Sequence, residues 1–156
     1  MAVKMFIHGL ESSNQGTKSI FFRNKYPDMI IPNFRGDLHE RMKKLHGILA
    51  DKFQISLVGS SFGGLMASIF AMENEPRVEK LILLAPAINS PDFKDYHKKE
   101  ISVPVWIYHG KEDEIISLAD VEPIAKKVFR NLSLHVVDDD HSLHKTFKLM
   151  AWDELL

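Results

Sequence analysis

The sequence lacks the features that mark several special classes of protein. It contains no cysteine, which excludes disulfides and thiolate metal sites. Its 20 basic and 21 acidic side chains leave a net charge of -1, so neither nucleic acid nor an anionic membrane is favoured as a partner. The longest nearly apolar run, residues 81–88, is far shorter than the roughly 20 residues that span a bilayer. We therefore expect no nucleic-acid partner and no membrane segment.

What remains is the composition of an ordinary globular chain. Of its 156 residues, 45% are hydrophobic and 26% are charged, and no linker, repeat or low-complexity tract divides them. We expect one domain over residues 1–156, long enough to bury roughly two thirds of its unfolded surface. The first residues, 1–10, hold one lysine and no apolar stretch ahead of a small-residue cleavage site. They do not resemble a signal peptide, so we expect a cytoplasmic location.

Short apolar runs alternate along the chain with segments of helical period. These runs lack a regular polar alternation, which is typical of strands buried on both faces. They lie at residues 2–7, 29–31, 55–58, 81–84, 103–108 and 132–137. Strands that alternate with helices predict a parallel sheet with right-handed crossovers and helices on both faces. In such sheets the ligand site lies beyond the carboxyl ends of the strands.

The clearest helix is predicted between the second and third runs. Apolar residues recur there at spacings of four, three and four, at Leu38, Met42, Leu45 and Leu49. Asp37 fits an N-cap, and Glu40 three residues later completes the pattern of a capping box.

Other segments predict helices with less regular patterns. Residues 65–72 are apolar almost all round, which predicts a buried helix. A helical pattern over residues 118–128 contains Pro123, so we expect that helix either to kink or to begin near the proline. A last helix is indicated by the spacing of Leu143, Phe147 and Met150.

A G-x-S-x-G motif, with Ser61 at its centre, follows the third run. A sharp turn from strand to helix would bring two backbones so close that Gly59 and Gly63 have no room for a side chain. Such a turn exposes the Ser61 hydroxyl as a candidate nucleophile. It also places the Phe62 amide at a helix N-terminus, where an unpaired N–H can bind an oxyanion. The alternatives are a glycine-rich turn that only packs tightly, or one that binds a phosphate.

A serine nucleophile needs a base and an acid that orients this base. Among eight histidines, His141 follows the last predicted strand in an acidic loop and is the favoured base; His144 is the second choice, although we expect it to be helical. The acid is expected in the loop after the fifth run, where Glu112, Asp113 and Glu114 are all candidates on chemistry alone.

The loop after the first run offers a second oxyanion donor. Gly9 permits a tight turn there, and the Leu10 amide can face the Phe62 amide across a reacting carbonyl. We expect His8 to hold this loop by hydrogen bonds. A phosphate-binding loop is the competing interpretation, but the segment lacks the Gly-Lys-Ser/Thr ending of that motif.

Together these motifs resemble the α/β-hydrolase superfamily over the whole chain, and most closely its small bacterial esterases with little or no lid. In the family pattern the acid is the fourth residue after the histidine of H-G-x-x-D, which implies Asp113. The chain order Ser61, Asp113, His141 also fits the family. The usual lid insertion falls in residues 86–102, which have room only for a loop or a short helix, so an open site is expected.

The resemblance also implies a fold and its topology. We expect a three-layer α/β/α fold without the usual N-terminal hairpin. Its minimal parallel sheet would have six strands in the order 2-1-3-4-5-6.

The activity implied is hydrolysis of small or short-acyl carboxylic esters through an acyl-enzyme. Ser61 would be the nucleophile, His141 the base and Asp113 the acid, with the Leu10 and Phe62 amides as the oxyanion hole. This chemistry needs no metal and no organic cofactor, and the partner would be a small-molecule ester.

Three alternatives stay open at this point. The same residues would serve an acyl-thioesterase, which only substrate comparisons distinguish from an esterase. A non-catalytic binding protein could keep the fold, although binding alone does not require serine, acid and base together. A flavodoxin-like or receiver-type phosphate-binding domain predicts clustered acids after the first strand, where the chain has only Glu11.

Overall fold

The computed structural model describes residues 2–156 and contains one sheet of five parallel strands. In chain order the strands are β1 (Val3–Ile7), β2 (Ile55–Ser60), β3 (Val78–Leu84), β4 (Val105–Gly110) and β5 (Leu132–Val137). They lie in the sheet in the same order in which they follow one another in the chain. The carboxyl ends of all five strands therefore meet at one edge.

Helices cover both faces of the sheet. They are α1 (Thr17–Lys25), α2 (Leu38–Ile48), α3 (Phe62–Glu73), α4 (Leu118–Val128) and α5 (Trp152–Leu155). Buried residues of α2, α3 and α4 pack into one apolar cluster, and those of α1 and α5 pack into a second cluster. Neighbouring residues of a strand point into different clusters, as Leu57 and Val58 do in β2. This two-sided burial explains why the strands appear in the sequence as continuous apolar runs.

The prediction of a sixth strand at residues 29–31 is wrong. Ile30 forms a single parallel bridge beside β1: its amide donates to the Lys4 carbonyl at 2.9 Å, and its carbonyl accepts from the Phe6 amide at 3.0 Å. The next donor in such a ladder would be residue 32, and Pro32 has no N–H. The segment lies at the predicted edge of the sheet, but the sheet has five strands.

The structure confirms the helix predicted from Leu38 and, for the helix that contains Pro123, excludes a start at the proline. The Asp37 side chain caps α2 by accepting from the Glu40 amide at 2.9 Å. Helix α4 begins at Leu118 and runs through Pro123 to Val128, so the proline does not mark its start. The carbonyl left without a helical donor belongs to Ala119, an exposed residue whose carbonyl water can reach.

The predicted last helix over Leu143, Phe147 and Met150 is also wrong. Leu143 has a positive φ of 54°, which interrupts any helix, and a short 3-10 helix (Phe147–Leu149) and α5 follow. Both Leu143 and Phe147 are buried. Their spacing in the sequence therefore reflects burial in the core and not an α-helix. The expectation that His144 is helical fails for the same reason.

No helix within residues 2–156 is long and apolar enough to span a bilayer.

Candidate active site

The turn between β2 and α3 holds Ser61 in a backbone conformation that non-glycine residues rarely adopt. Its φ and ψ are 56° and -114°. Its amide donates to the Leu84 carbonyl at 2.9 Å, and its carbonyl accepts from the Gly64 and Ala87 amides, each at 2.9 Å. These bonds stabilise a strained residue, whose conformation costs on the order of 1–3 kcal/mol.

The glycines around Ser61 make this turn sterically possible. A Cβ on Gly59 would overlap the Gly63 carbonyl, and one on Gly63 would overlap the Ile7 carbonyl of β1. A Cβ on Gly64 would lie 2.8 Å from the Pro86 side chain, a constraint that the sequence motif does not include. The absence of side chains lets α3 begin directly against the strands.

A chain of two hydrogen bonds joins Ser61, His141 and Asp113. His141 Nε2 lies 3.1 Å from Ser61 Oγ, and His141 Nδ1 lies 2.7 Å from Asp113 Oδ2. Because a carboxylate only accepts, the Nδ1 atom carries the proton, which leaves Nε2 free to accept from the serine hydroxyl. The Asp113 side chain is 0% exposed and that of His141 is 22% exposed.

Asp113 differs from its acidic neighbours in its hydrogen bonds and its burial. Its other oxygen, Oδ1, accepts from the Ile115 and Ile116 amides at 2.9 and 2.8 Å. Glu112 and Glu114 are exposed. Only the middle acid of the three therefore reaches His141.

Asp139 organises the loop that carries His141. It is buried, and its carboxylate accepts from the backbone amides of Asp140 and Thr146, each at 2.8 Å, and of Lys145 at 3.0 Å. Burial by itself raises the pKa of Asp139, but these donors outweigh it and hold the pKa below its ordinary value. Sequence reasoning missed this role, because three consecutive aspartates precede His141 and their spacing gives no preference.

The His141 loop packs directly against the loop that carries Asp113. The Glu112 amide donates to the Asp139 carbonyl at 3.0 Å. A Cβ on Gly110 would overlap the same carbonyl, so a glycine permits this close approach. On the other side, Lys18 Nζ of α1 donates to the Ser142 carbonyl at 2.7 Å. These contacts fix the His141 loop relative to the Asp113 loop and to α1.

His144, the alternative base, is turned to another partner. Its Nδ1 lies 2.6 Å from Asp140 Oδ2, and its side chain is exposed.

The loop after β1 places Gly9 and Leu10 beside Ser61. A Cβ on Gly9 would lie 3.5 Å from Ser61 Cβ, and Leu10 lines the cleft into which Ser61 opens. Within residues 2–156 neither the Leu10 amide nor the Phe62 amide donates a hydrogen bond to another protein group. Both are available to an incoming oxygen.

Buried His8 holds the peptide that carries the Leu10 amide. Its Nε2 accepts from the Phe34 amide at 2.9 Å, so Nδ1 carries the proton and donates to the Gly9 carbonyl at 2.7 Å. Burial lowers the pKa of His8, which favours this neutral form. The Gly9 carbonyl and the Leu10 N–H belong to one planar peptide unit, so this bond also orients the N–H.

The site opens into a cleft of about 880 Å³. Its walls combine apolar and charged side chains, among them Leu10, Phe62, Ala87, Ile115, Lys18 and Glu11. The segment 86–102 contains a short 3-10 helix (Pro91–Tyr96), as its length predicts. Within residues 2–156 no three His, Asp or Glu side chains are arranged to hold a metal ion.

A family comparison covers most of this site. The model of the dienelactone hydrolase family matches residues 15–142, which include Ser61, Asp113 and His141. The chain belongs to the dienelactone hydrolase family. The match begins after Gly9 and Leu10, so the loop after β1 lies outside it. No curated protein matches the chain in sequence.

Solved structures resemble this dienelactone hydrolase family member over nearly its whole length. Mouse α/β-hydrolase domain-containing protein 10 is 18% identical, has a TM-score of 0.77, and is aligned over 97% of this chain and 88% of its own. The esterase EaEST from Exiguobacterium antarcticum is 14% identical, with a TM-score of 0.78 and coverages of 99% and 90%. Est1E from Butyrivibrio proteoclasticus, solved with ferulic acid bound, is 15% identical, with a TM-score of 0.78 and coverages of 99% and 86%. These likenesses show an α/β-hydrolase fold.

Proposed function

We propose that this protein hydrolyses carboxylic esters of small or short-acyl substrates through an acyl-enzyme at Ser61. The observation that carries the proposal is the hydrogen-bonded chain from Asp113 through His141 to Ser61, with distances of 2.7 and 3.1 Å. A buried acid, an oriented imidazole and a serine on a strained turn in an open cleft are the parts that this chemistry requires. Membership of a hydrolase family supports the same conclusion.

In the first half of the reaction Ser61 attacks the ester carbonyl. His141 Nε2 takes the hydroxyl proton as the Ser61 Oγ–carbon bond forms, and Asp113 stabilises the resulting imidazolium. The imidazolium then donates the same proton to the leaving alcohol as the carbon–oxygen bond breaks. The acyl group remains on Ser61.

The negative charge that develops on the carbonyl oxygen needs donors that are already in place. We assign this role to the Leu10 and Phe62 amides, because both lie beside Ser61 and neither has an acceptor among residues 2–156. Phe62 is also the first residue of α3, where the helix dipole favours negative charge. One donor of this kind contributes roughly 2.7–4 kcal/mol to transition-state stability.

In the second half a water molecule replaces the alcohol. His141 accepts a proton from the water, the water oxygen attacks the acyl carbon, and the bond to Ser61 Oγ breaks. The proton returns to Ser61, and the carboxylic acid leaves. No step requires a group beyond the residues named.

The substrate class follows from the cleft and from the family. A site without a large lid insertion suits small or short-acyl esters. A lactone is a cyclic carboxylic ester, so the family name is compatible with the same chemistry. Lactones therefore belong in the substrate test beside linear esters.

The proposal is tested by hydrolysis rates on four substrate types: p-nitrophenyl acetate, p-nitrophenyl octanoate, dihydrocoumarin as a lactone, and an acyl-CoA thioester. We expect hydrolysis of the acetate, and a loss of at least roughly 10⁴-fold in kcat in Ser61→Ala. Ser133→Ala, which changes an exposed serine of β5, is the matched control and should keep the wild-type rate.

Two results would contradict this proposal. An unchanged rate in Ser61→Ala would exclude Ser61 as the nucleophile. Turnover of the thioester, without turnover of any oxygen ester, would replace the esterase by a thioesterase.

A further inference from the structure

His109 is a second imidazole on the Asp113 carboxylate. It lies in β4 with a side chain that is 0% exposed, and its Nε2 is 3.3 Å from Asp113 Oδ2. The same oxygen receives the hydrogen bond from His141 Nδ1 at 2.7 Å. The acid therefore lies between two imidazole rings, and the proposed mechanism uses only one of them.

The surroundings of His109 define its tautomer. Its Nε2 lies 2.8 Å from the Ile116 carbonyl oxygen, which can only accept, so Nε2 carries a proton. Its Nδ1 is buried and has no hydrogen-bond partner within the described chain. A proton on Nδ1 would be a buried donor without an acceptor, which is costly. His109 therefore presents one N–H, which donates to the Ile116 carbonyl, and the same nitrogen lies 3.3 Å from Asp113 Oδ2.

Most acceptor sites of the Asp113 carboxylate are occupied by groups other than His109. An ionised carboxylate has about four acceptor sites. Two are taken at Oδ1 by the Ile115 and Ile116 amides, and one at Oδ2 by His141. The remaining site at Oδ2 faces His109, whose Nε2 lies 3.3 Å away. Every oxygen of the buried acid therefore has N–H groups close to it.

We propose that His109 is a positioning residue that acts through Asp113. The positive end of its Nε2–H dipole, 3.3 Å from Oδ2, would favour the charge and position from which this oxygen orients His141 and stabilises the imidazolium. The inference rests on the proposed function of Ser61, His141 and Asp113. A different role, in which His109 merely fills space beside the loop, predicts that its N–H has no influence on the reaction.

A matched pair of variants separates these two roles. His109→Gln keeps an N–H at the end of a side chain of similar length, whereas His109→Met keeps the length and removes the donor. We expect His109→Met to lower kcat on p-nitrophenyl acetate roughly 10- to 100-fold with little change in KM, as loss of an orienting partner does. His109→Gln should restore most of this loss. Equal kcat values in the two variants would overturn the proposal.

A double-mutant cycle tests whether the effect passes through Asp113. In an Asp113→Asn background, where the carboxylate is already gone, His109→Met should lower the residual activity much less than it does in the wild type. The same fold-loss in both backgrounds would mean that His109 acts independently of Asp113 and would overturn the proposal. His109→Phe, which keeps a ring without a donor, replaces His109→Met if thermal unfolding shows that the latter is not folded.

A measurement without turnover distinguishes failure of this inference from failure of the proposed function. The proton NMR resonance of His141 Nδ1–H reports its bond to Asp113 directly. We expect it to shift in His109→Met and to stay near the wild-type position in His109→Gln and in the control His135→Gln, an exposed histidine of β5. An unshifted resonance in His109→Met would overturn the inference, whereas a wild-type rate in Ser61→Ala would overturn the proposed function.

Discussion

Three buried polar side chains, His8, His109 and Asp139, hold the backbone of loops that neighbour Ser61. Each bonds to the backbone of a loop that carries a proposed functional group. Buried polar groups of this kind stabilise only the conformation that satisfies them. Substitution of one of these residues should therefore lower kcat or change how the free energy of unfolding depends on pH.

Replacement of His8 tests the role of its bond to the Gly9 carbonyl. We expect His8→Leu to lower kcat on the order of 10- to 100-fold, somewhat less than loss of an oxyanion donor, because the Leu10 N–H is loosened and not removed. His8→Asn, whose side-chain amide can replace Nδ1 as a donor, should lose less. Steady-state kinetics on p-nitrophenyl acetate measure both, with the exposed His39→Asn as control. Equal losses in the Leu and Asn variants would contradict this role.

Replacement of Asp139 tests the charge that organises the His141 loop. The pKa of Asp139 is lowered in the folded protein, so its carboxylate contributes stability above the ordinary aspartate value of about 3.9. This contribution is lost as the pH falls through the lowered pKa. Asp139→Asn should reduce the free energy of unfolding by about 1–3 kcal/mol at pH 7, and by progressively less as the pH falls from the ordinary aspartate value through the lowered pKa.

Urea denaturation at several pH values measures this difference. The exposed neighbour Asp138→Asn is the control and should change the free energy of unfolding by less than about 0.5 kcal/mol throughout. A loss in Asp139→Asn that does not depend on pH would contradict a role for the charge.

At the scale of elements, the packing of α3 against β1 depends on Gly63. Its Cα faces the Ile7 carbonyl so closely that Gly63→Ala should separate helix and strand, with a loss of roughly 1–3 kcal/mol or more. Gly47 in α2 is the matched control, because a Cβ there meets nothing within 4 Å. Gly47→Ala should stabilise the fold by roughly 0.5–1 kcal/mol. Thermal unfolding measures both, and a neutral Gly63→Ala would contradict the steric argument.

The sequence predicted most elements because local pattern and burial agree in them. Helix α2 has an apolar face and a cap, and Asp37 performs the capping that its position predicts. The wrong predictions of a strand and of a helix lie where a single backbone feature overrides the spacing of apolar residues. Pro32 ends the pairing of the segment at residues 29–31, and amides bound to the Asp139 carboxylate hold residues after His141 in a turn.

At the scale of the whole molecule, the order of strands and loops along the chain was enough to predict much of the candidate site. Parallel strands end at one edge, so residues that follow different strands could be expected to meet there. The choice of Asp113 over Glu112 and Glu114 came from the family pattern and not from residue chemistry. The structure gives a physical reason, since the Ile115 and Ile116 amides hold Asp113.

Contacts between loops could not be predicted from the sequence. The bond from the Glu112 amide to the Asp139 carbonyl joins two loops whose relative position depends on the whole sheet. The contact between the Glu112 amide and the Asp139 carbonyl has no local sequence signal, because two backbone atoms from distant parts of the chain pair there. His109 and Asp113, by contrast, are four residues apart in the H-G-x-x-D pattern, so their proximity is local to one loop.

The role of Ser61 as a nucleophile activated by His141 is tested most directly by the rate at which a fluorophosphonate labels Ser61, followed by intact mass and peptide mapping. We expect one adduct, located on Ser61, and labelling slowed by several orders of magnitude in His141→Gln, because the hydroxyl then has no base. Labelling at another residue, or equal labelling rates in wild type and His141→Gln, would contradict this role.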